Sequence, residues 1–237
     1  MFLSVNKPFF DKLFIIDFLE KMIYFSRKRG AKMTIKEQIF KKIREQKQGW
    51  AFSATDFIQD FKRGDIDVAL SSLVESGDIR RVTRGIYDYP LYSAILGRRV
   101  AFDINQIAQA LARKFNWEIY PDGNTALNYL GLSTQIVAKN IYISDGPNRK
   151  YVIDKTTLEF KHIANKELSG SPDTILVVQA IRAVSEKQIT LEFINNLSAK
   201  FSVSQWRKIA SEASRSSAWI FEVIKQALKI AEEKNNG

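Results

Sequence analysis

The sequence predicts an α+β protein of two domains, and three observations support this class. The chain has 237 residues, which is enough for two modest hydrophobic cores. Its first third combines short helical patterns with a tight hairpin, and its last third is helical. Between them lie short alternating runs typical of strands. The predicted boundaries are an extension at 1–32, a first domain at 33–92 and a second domain at 100–237, the latter with a mixed α/β part at 100–170 carrying a small antiparallel sheet and a helical part at 172–234.

The most informative stretch is residues 53–90. A short helix is predicted from Ser53, and a second from about Asp65 to Ser76, because apolar residues recur there at three- and four-residue steps. Two short strands follow, joined by the turn Thr83-Arg84-Gly85. Helix, turn, helix and basic hairpin is the pattern of the winged helix-turn-helix, whose second helix enters the DNA major groove while its wing lies along the backbone.

The predicted DNA contacts come from the start of the first helix, the turn and outer face of the second, and the hairpin. Hydroxyls at a helix start can donate to phosphate beside the backbone amides. A small exposed hairpin has little structural use for three arginines together, and they could neutralise about three phosphates. Asp65 and Asp67 oppose this interpretation, since carboxylates repel phosphate. The predicted contacts are Ser53, Thr55, Lys62, Arg63, Asp67, Ser71, Ser72, Arg80, Arg81, Thr83 and Arg84.

Composition limits the other functions. The same helix and hairpin unit also serves in protein-interaction modules, but a net charge of +10 favours nucleic acid over acidic partners. Cysteine is absent, which excludes disulfides, zinc–thiolate sites and thiol catalysis. The single histidine, His162, is interpreted as a strand residue. No catalytic residue, metal or cofactor is predicted.

Two hypotheses account for the aromatic and basic segment at residues 1–32. The aromatic run from Phe9 to Phe25 is interrupted by charges, so no membrane span is expected, and its basic cluster follows the apolar region, unlike that of a signal peptide. The segment is either a membrane-surface helix or upstream translation before a natural start at Met33. Thr34 and Glu37 form a predicted capping box directly after Met33, which favours the second hypothesis.

The enzyme alternative is a metal-dependent nuclease. Pro121-Asp122 and Glu159-Phe160-Lys161 match the letters of the PD-(D/E)xK pattern, in which carboxylates on adjacent strands hold magnesium. The simpler interpretation makes Asp122 a helix cap and Glu159 the exposed member of an alternating strand. The intervening runs are predicted as antiparallel strands, with a turn at 145–148 between the first two.

Several motifs, in this order and spacing, resemble the AbiEi family of type IV antitoxins. The resemblance covers about Met33 to Arg182. The motifs that carry it are Gly49-Trp50-Ala51-Phe52, Ala69-Leu70-Ser71-x-Leu73-Val74, Gly77-x-Ile79-Arg80-Arg81, Arg84-Gly85-x-Tyr87-Asp88-Tyr89-Pro90, Ile107-Ala108-Gln109-Ala110-Leu111-Ala112-Arg113-Lys114, Gly123-Asn124-x-Ala126-Leu127-Asn128-x-Leu130-Gly131-Leu132-Ser133-Thr134-Gln135 and Ser144-Asp145-Gly146-Pro147-x-Arg149-Lys150-Tyr151.

The resemblance implies a cytoplasmic prokaryotic antitoxin that binds double-stranded DNA at repeats in its own promoter and represses the operon. It also implies a C-terminal domain that counters an AbiEii-like nucleotidyltransferase toxin without a stable complex. Extra DNA contacts, self-association on DNA and the antitoxic action all stay open for that domain. Carried over by position, the implied DNA contacts are Arg63, Ser71, Arg80, Arg81 and Arg84. Ser72 stands where relatives often have a basic residue, which shifts weight from the second helix to the wing.

Overall fold

The computed structural model describes residues 33–135, 138–163 and 170–235, and these residues form an α+β fold. Both hypotheses about residues 1–32 therefore lie outside the described residues. The first part of the chain comprises helix α1 (Ile35–Glu45), strand β1 (Ala51–Phe52), a 3₁₀ turn (Ala54–Phe57), helix α2 (Arg63–Glu75) and strands β2 (Arg80–Thr83) and β3 (Ile86–Asp88).

Helix α1 begins as its sequence predicts. The Thr34 hydroxyl accepts from the Glu37 amide, and the Glu37 carboxylate accepts from the Thr34 amide at 2.8 Å, which completes the capping box. Ile39 and Ile43 lie on one face of the helix and are fully buried. They pack against Ile66 and other apolar residues of α2 in the first core.

The segment after β1 is shorter than predicted. Only Ala54–Phe57 is helical, as a single 3₁₀ turn, because the Ser53 and Asp56 side chains cap it reciprocally while Phe57 fills the core. Helix α2 then begins at Arg63, two residues before the predicted start. Strand β3 lies between β1 and β2, with antiparallel pairing on both sides.

The second half opens with a small hairpin and a sheet covered by helices. Its elements are β4 (Tyr92–Ser93), β5 (Arg98–Arg99), α3 (Ile104–Phe115), β6 (Ile119–Asp122), α4 (Asn124–Tyr129), β7 (Lys139–Ser144), β8 (Arg149–Ile153) and β9 (Thr156–His162). Asp103 caps α3 by accepting from the Asn105 amide at 2.9 Å, as an aspartate in that position predicts.

The four-stranded sheet is not wholly antiparallel. Its order is β6-β7-β9-β8, and β7 pairs with β9 in parallel, from Lys139 opposite Thr157 to Ser144 opposite His162. The predicted hairpin across residues 145–148 is therefore wrong, because β9 separates β7 from β8. The tight turn of this sheet is instead at Asp154, between β8 and β9, where φ is +51°.

The last part is helical, as predicted, with α5 (Pro172–Val184), α6 (Leu191–Ser198), α7 (Val203–Glu212) and α8 (Ala218–Asn235). Trp206 anchors their core, fully buried, with its indole donating to the Ser198 carbonyl at 2.9 Å. The Glu212 carboxylate accepts three hydrogen bonds at the start of α5, from the Ser171 amide, the Ser171 hydroxyl and the Thr174 hydroxyl. It therefore ties α7 to α5.

The two halves share a core. Ala51 of β1 and Ile86 of β3 pack into the same cluster as Ile107 and Leu111 of α3. Arg113 joins them at the surface, donating to the Asp56 carboxylate at 2.6 Å and to the Ala51 carbonyl at 2.7 Å. Helix α3 is thus fixed against the first half.

None of the helices in the described residues is both long enough and apolar enough to cross a lipid bilayer.

Candidate nucleic-acid interface

The outer face of α2 is exposed from its start to Ser71. Lys62, Arg63 and Ser71 are exposed, and Val68 is 72% exposed. The Arg63 guanidinium lies 2.9 Å from the Asp67 carboxylate, four residues further along the same face. This pair partly offsets the unfavourable charge of Asp67 beside a groove, and at its level of exposure it is weak enough for phosphate to compete.

A basic group that sequence reasoning missed lies beside this face. The Lys36 ammonium of α1 donates to the Ser72 hydroxyl at 2.9 Å and approaches the Ser72 carbonyl at 3.4 Å. Ser72 is the position where a basic residue was expected from the resemblance. Lys36 supplies a positive charge at that place from a neighbouring helix, which only the packing of α1 on α2 could reveal.

The hairpin of β2 and β3 presents two arginines rather than three. Arg81 and Arg84 are exposed, and Arg81 lies over the Tyr87 ring, donating to its hydroxyl at 3.2 Å. Gly85 has a φ of +72°, which makes the tight turn beside Arg84 possible. Thr83 is partly buried at the break in register between the strands.

Arg80 is mostly buried, contrary to the expectation that it contacts DNA. Its guanidinium binds both oxygens of the buried Asp88 carboxylate, donates to the Val100 carbonyl at 3.0 Å and lies 4.3 Å from the centroid of the Phe102 ring. Side-chain exposure is only 20% for Arg80 and 5% for Asp88. Arg80 is therefore a structural residue: three of its five N–H donors bind within the fold and its side chain is mostly buried, so the hairpin does have a structural use for it.

Ser53 is also buried, contrary to the expectation that it contacts DNA. It is 1% exposed, and its hydroxyl lies 2.7 Å from the Thr55 hydroxyl and 3.3 Å from the Asp56 carboxylate. These bonds cap the 3₁₀ turn, so Ser53 cannot reach DNA. Thr55 is partly buried and shares the same bond.

The end of α3 meets the tip of the hairpin. The Lys114 ammonium, at the end of α3, donates to the Arg84 carbonyl at 3.2 Å. The pKa of Lys114 is lowered, first by burial and then by the positive charges of Arg63 and Arg84. Arg63 begins α2 and Arg84 forms the hairpin tip, so both elements of the predicted interface carry a cation whose charge acts on Lys114.

The carboxylates of the nuclease alternative lie two strands apart. Asp122 is opposite Ile141, which in turn is opposite Glu159, a separation of about 10 Å between backbones from strand spacing. Each carboxylate forms an ion pair with a lysine: Asp122 with Lys161, the lysine of the pattern, at 3.3 Å, and Glu159 with Lys139 at 2.6 Å. Within the described ranges, no group of three or more acidic, histidine or cysteine side chains could hold a metal ion.

Comparison with known proteins places the chain in a family. A model described as "Family of unknown function (DUF6088)" matches residues 38–203. The chain belongs to this family. The DUF6088 match begins inside α1 and ends at the start of α7, so it includes the candidate interface and α3. No curated protein sequence matches the chain.

One solved structure similar to this DUF6088 member is the crystal structure of the RV2827C protein from Mycobacterium tuberculosis. The two share 13% sequence identity with a TM-score of 0.40, over 85% of this chain and 78% of the other.

Proposed function

We propose that this protein binds double-stranded DNA through a winged helix-turn-helix made of residues 33–92. The observation that carries the proposal is that α2 and the hairpin pack on one core, with Lys62 and Arg63 exposed on the helix and Arg81 and Arg84 exposed on the hairpin. An exposed helix face and an exposed hairpin tip that lie together, both basic, match the two elements that a winged helix applies to DNA.

In this proposal α2 enters the major groove and the hairpin follows the backbone. Ser71 and the Arg63 side chain face the groove, while Arg81 and Arg84 bind phosphates and so set position rather than sequence preference. Lys36 adds a positive charge near the end of α2. Arg80 and Ser53 support the module from inside and touch no DNA.

The test is binding to the DNA upstream of the protein's own coding sequence. We expect selective binding whose affinity falls with salt. The Arg63→Ala/Arg81→Ala/Arg84→Ala variant removes the two phosphate contacts of Arg81 and Arg84 and the groove contact of Arg63, so the slope of log affinity against log salt should fall by about 1.8 and affinity by at least about tenfold. Fluorescence anisotropy at four salt concentrations, with a scrambled duplex for comparison, measures both.

The matched control removes three positive charges elsewhere. Lys155, Lys187 and Lys229 are exposed and lie outside the candidate interface, so Lys155→Ala/Lys187→Ala/Lys229→Ala has the same net charge as the test variant. Equal loss in both variants would reduce the effect to net charge. Wild-type protein that does not bind, or does not prefer its upstream DNA, would favour the protein-interaction module.

We also propose that DNA binding represses the protein's own operon and that the protein acts as an antitoxin, on the strength of the AbiEi resemblance. The expected outcome is that co-expression restores growth to cells producing an AbiEii-like nucleotidyltransferase encoded beside it. The Arg63→Ala/Arg81→Ala/Arg84→Ala variant should restore growth as well, since antitoxic action is assigned to the C-terminal domain. Continued growth arrest with the wild-type protein would contradict the antitoxin role.

A further inference from the structure

The end of α3 carries charge and aromatic surface that the winged module does not use. Lys114 lies beside the hairpin tip, and its ammonium is 5.2 Å from the centroid of the Phe115 ring. Phe115 stacks on Trp117, with ring centroids 4.7 Å apart. Both rings are partly buried, so they form a fixed platform directly beside the wing.

A second cation occupies the same platform from the sheet. The Arg149 guanidinium, at the start of β8, lies 5.4 Å from the Phe115 centroid and 5.9 Å from the Trp117 centroid. Arg149 itself is exposed. Lys114 and Arg149 come from elements separated by β6, α4 and β7, and the fold brings both to one aromatic ring.

These two cations are positioned but not neutralised. Among the described residues, neither Lys114 nor Arg149 forms an ion pair with a carboxylate, although such pairs are common elsewhere in this chain. An aromatic ring holds a guanidinium in place through its face, so the N–H groups of the guanidinium remain available to donate hydrogen bonds. Holding the charges in advance lowers the entropy lost when an anion binds.

We propose that Lys114 and Arg149 form a second backbone-binding patch, which contacts DNA phosphates beyond those reached by the wing. The inference rests on the proposed DNA binding and extends it to the second domain. Because the Lys114 ammonium donates to the Arg84 carbonyl, the patch adjoins the hairpin tip. The phosphate backbone is the partner that fits, since its charges repeat along a line and are bound by Lys and Arg regardless of sequence.

The decisive variants are Lys114→Gln/Arg149→Gln and Arg149→Gln alone, measured on the upstream duplex. Loss of two phosphate contacts should lower the salt slope by about 1.8, and loss of one by about 0.9, while the preference over a scrambled duplex stays unchanged. Arg149→Lys keeps the charge and should keep the slope. Lys155→Gln/Lys187→Gln is the control of equal charge.

Hydroxyl-radical footprinting gives an independent readout. The double variant should lose protection at backbone positions on one side of the wild-type footprint and keep the centre. Among the described residues no hydrogen bond joins Arg149 to the hairpin, so its single variant tests the patch even where Lys114→Gln disturbs the wing.

The outcomes separate the two proposals. The patch alone would be overturned if the wild type binds DNA through the wing but the Lys114→Gln/Arg149→Gln variant has the same salt slope and footprint as Lys155→Gln/Lys187→Gln. Wild-type protein that does not bind DNA at all would overturn both the patch and the proposed function.

Discussion

Replacing Arg80 with alanine should lower the free energy of unfolding by about 3–5 kcal/mol, because it leaves a buried carboxylate without its partner. Asp88 is 4% exposed and lies in the middle strand of the three-stranded sheet. Without Arg80, its charge has lost both direct bonds from the guanidinium, and the Val100 carbonyl has lost a donor. Chemical denaturation with a tryptophan fluorescence signal measures the loss.

Two comparisons make this result specific. Arg81→Ala, one residue away and exposed, should cost less than about 0.5 kcal/mol. Arg80→Met/Asp88→Leu should recover most of the stability, because replacing both members of a buried ion pair removes the unpaired charge. Equal effects of Arg80→Ala and Arg81→Ala would contradict the structural role. Arg80 is left unchanged in the Arg63→Ala/Arg81→Ala/Arg84→Ala variant, because unfolding of the protein would also lower its measured affinity for DNA.

The Glu212→Gln variant should lose about 2 kcal/mol at pH 7, because a neutral amide replaces a carboxylate that accepts three short hydrogen bonds. Those bonds, from Ser171 and Thr174, hold the pKa of Glu212 down at about 2, from an ordinary value of 4.5. The side chain is 25% exposed, so part of the effect is screened by water. Thermal denaturation of both proteins at pH 7 measures the difference.

The pH dependence of this difference follows from the lowered pKa. The folded protein holds the Glu212 proton less tightly than the unfolded chain, so its contribution is complete above about pH 4.5 and is lost as the pH falls toward 2. Wild type and variant should therefore converge in stability over that interval. Glu233→Gln, an exposed carboxylate with a loose contact to Lys229, should show no such change. A constant difference from pH 7 to pH 3 would contradict the assignment.

Local signals in the sequence were sufficient for most helices. Thr34 and Glu37 fixed the start of α1, and Asp103 fixed the start of α3, because capping depends only on residues within one turn. The same holds for the 3.6-residue periodicity of α2 and for the turn at Gly85. These features need no partner from a distant part of the chain.

Local signals could not predict which distant segments pair with each other. The alternation in β7, β8 and β9 predicts three strands but not their order, so the parallel pairing of β7 with β9 appeared only in the assembled sheet. Likewise, Arg80 and Arg81 are neighbours in one basic run, yet one is sealed against Asp88 and Phe102 and the other faces solvent.

The sequence by itself therefore determined the fold class, most of the helices and the basic character of the hairpin, since each follows from short-range spacing and composition. Only the tertiary structure decided which cations remain available for a ligand. It paired Arg80 with the buried Asp88 and placed Lys36 beside Ser72. It also brought Lys114 to the hairpin tip and Arg149 to the adjacent Phe115 and Trp117 rings. The physical reason is that a charge is free or neutralised according to what the packed chain places beside it, and those neighbours come from other elements.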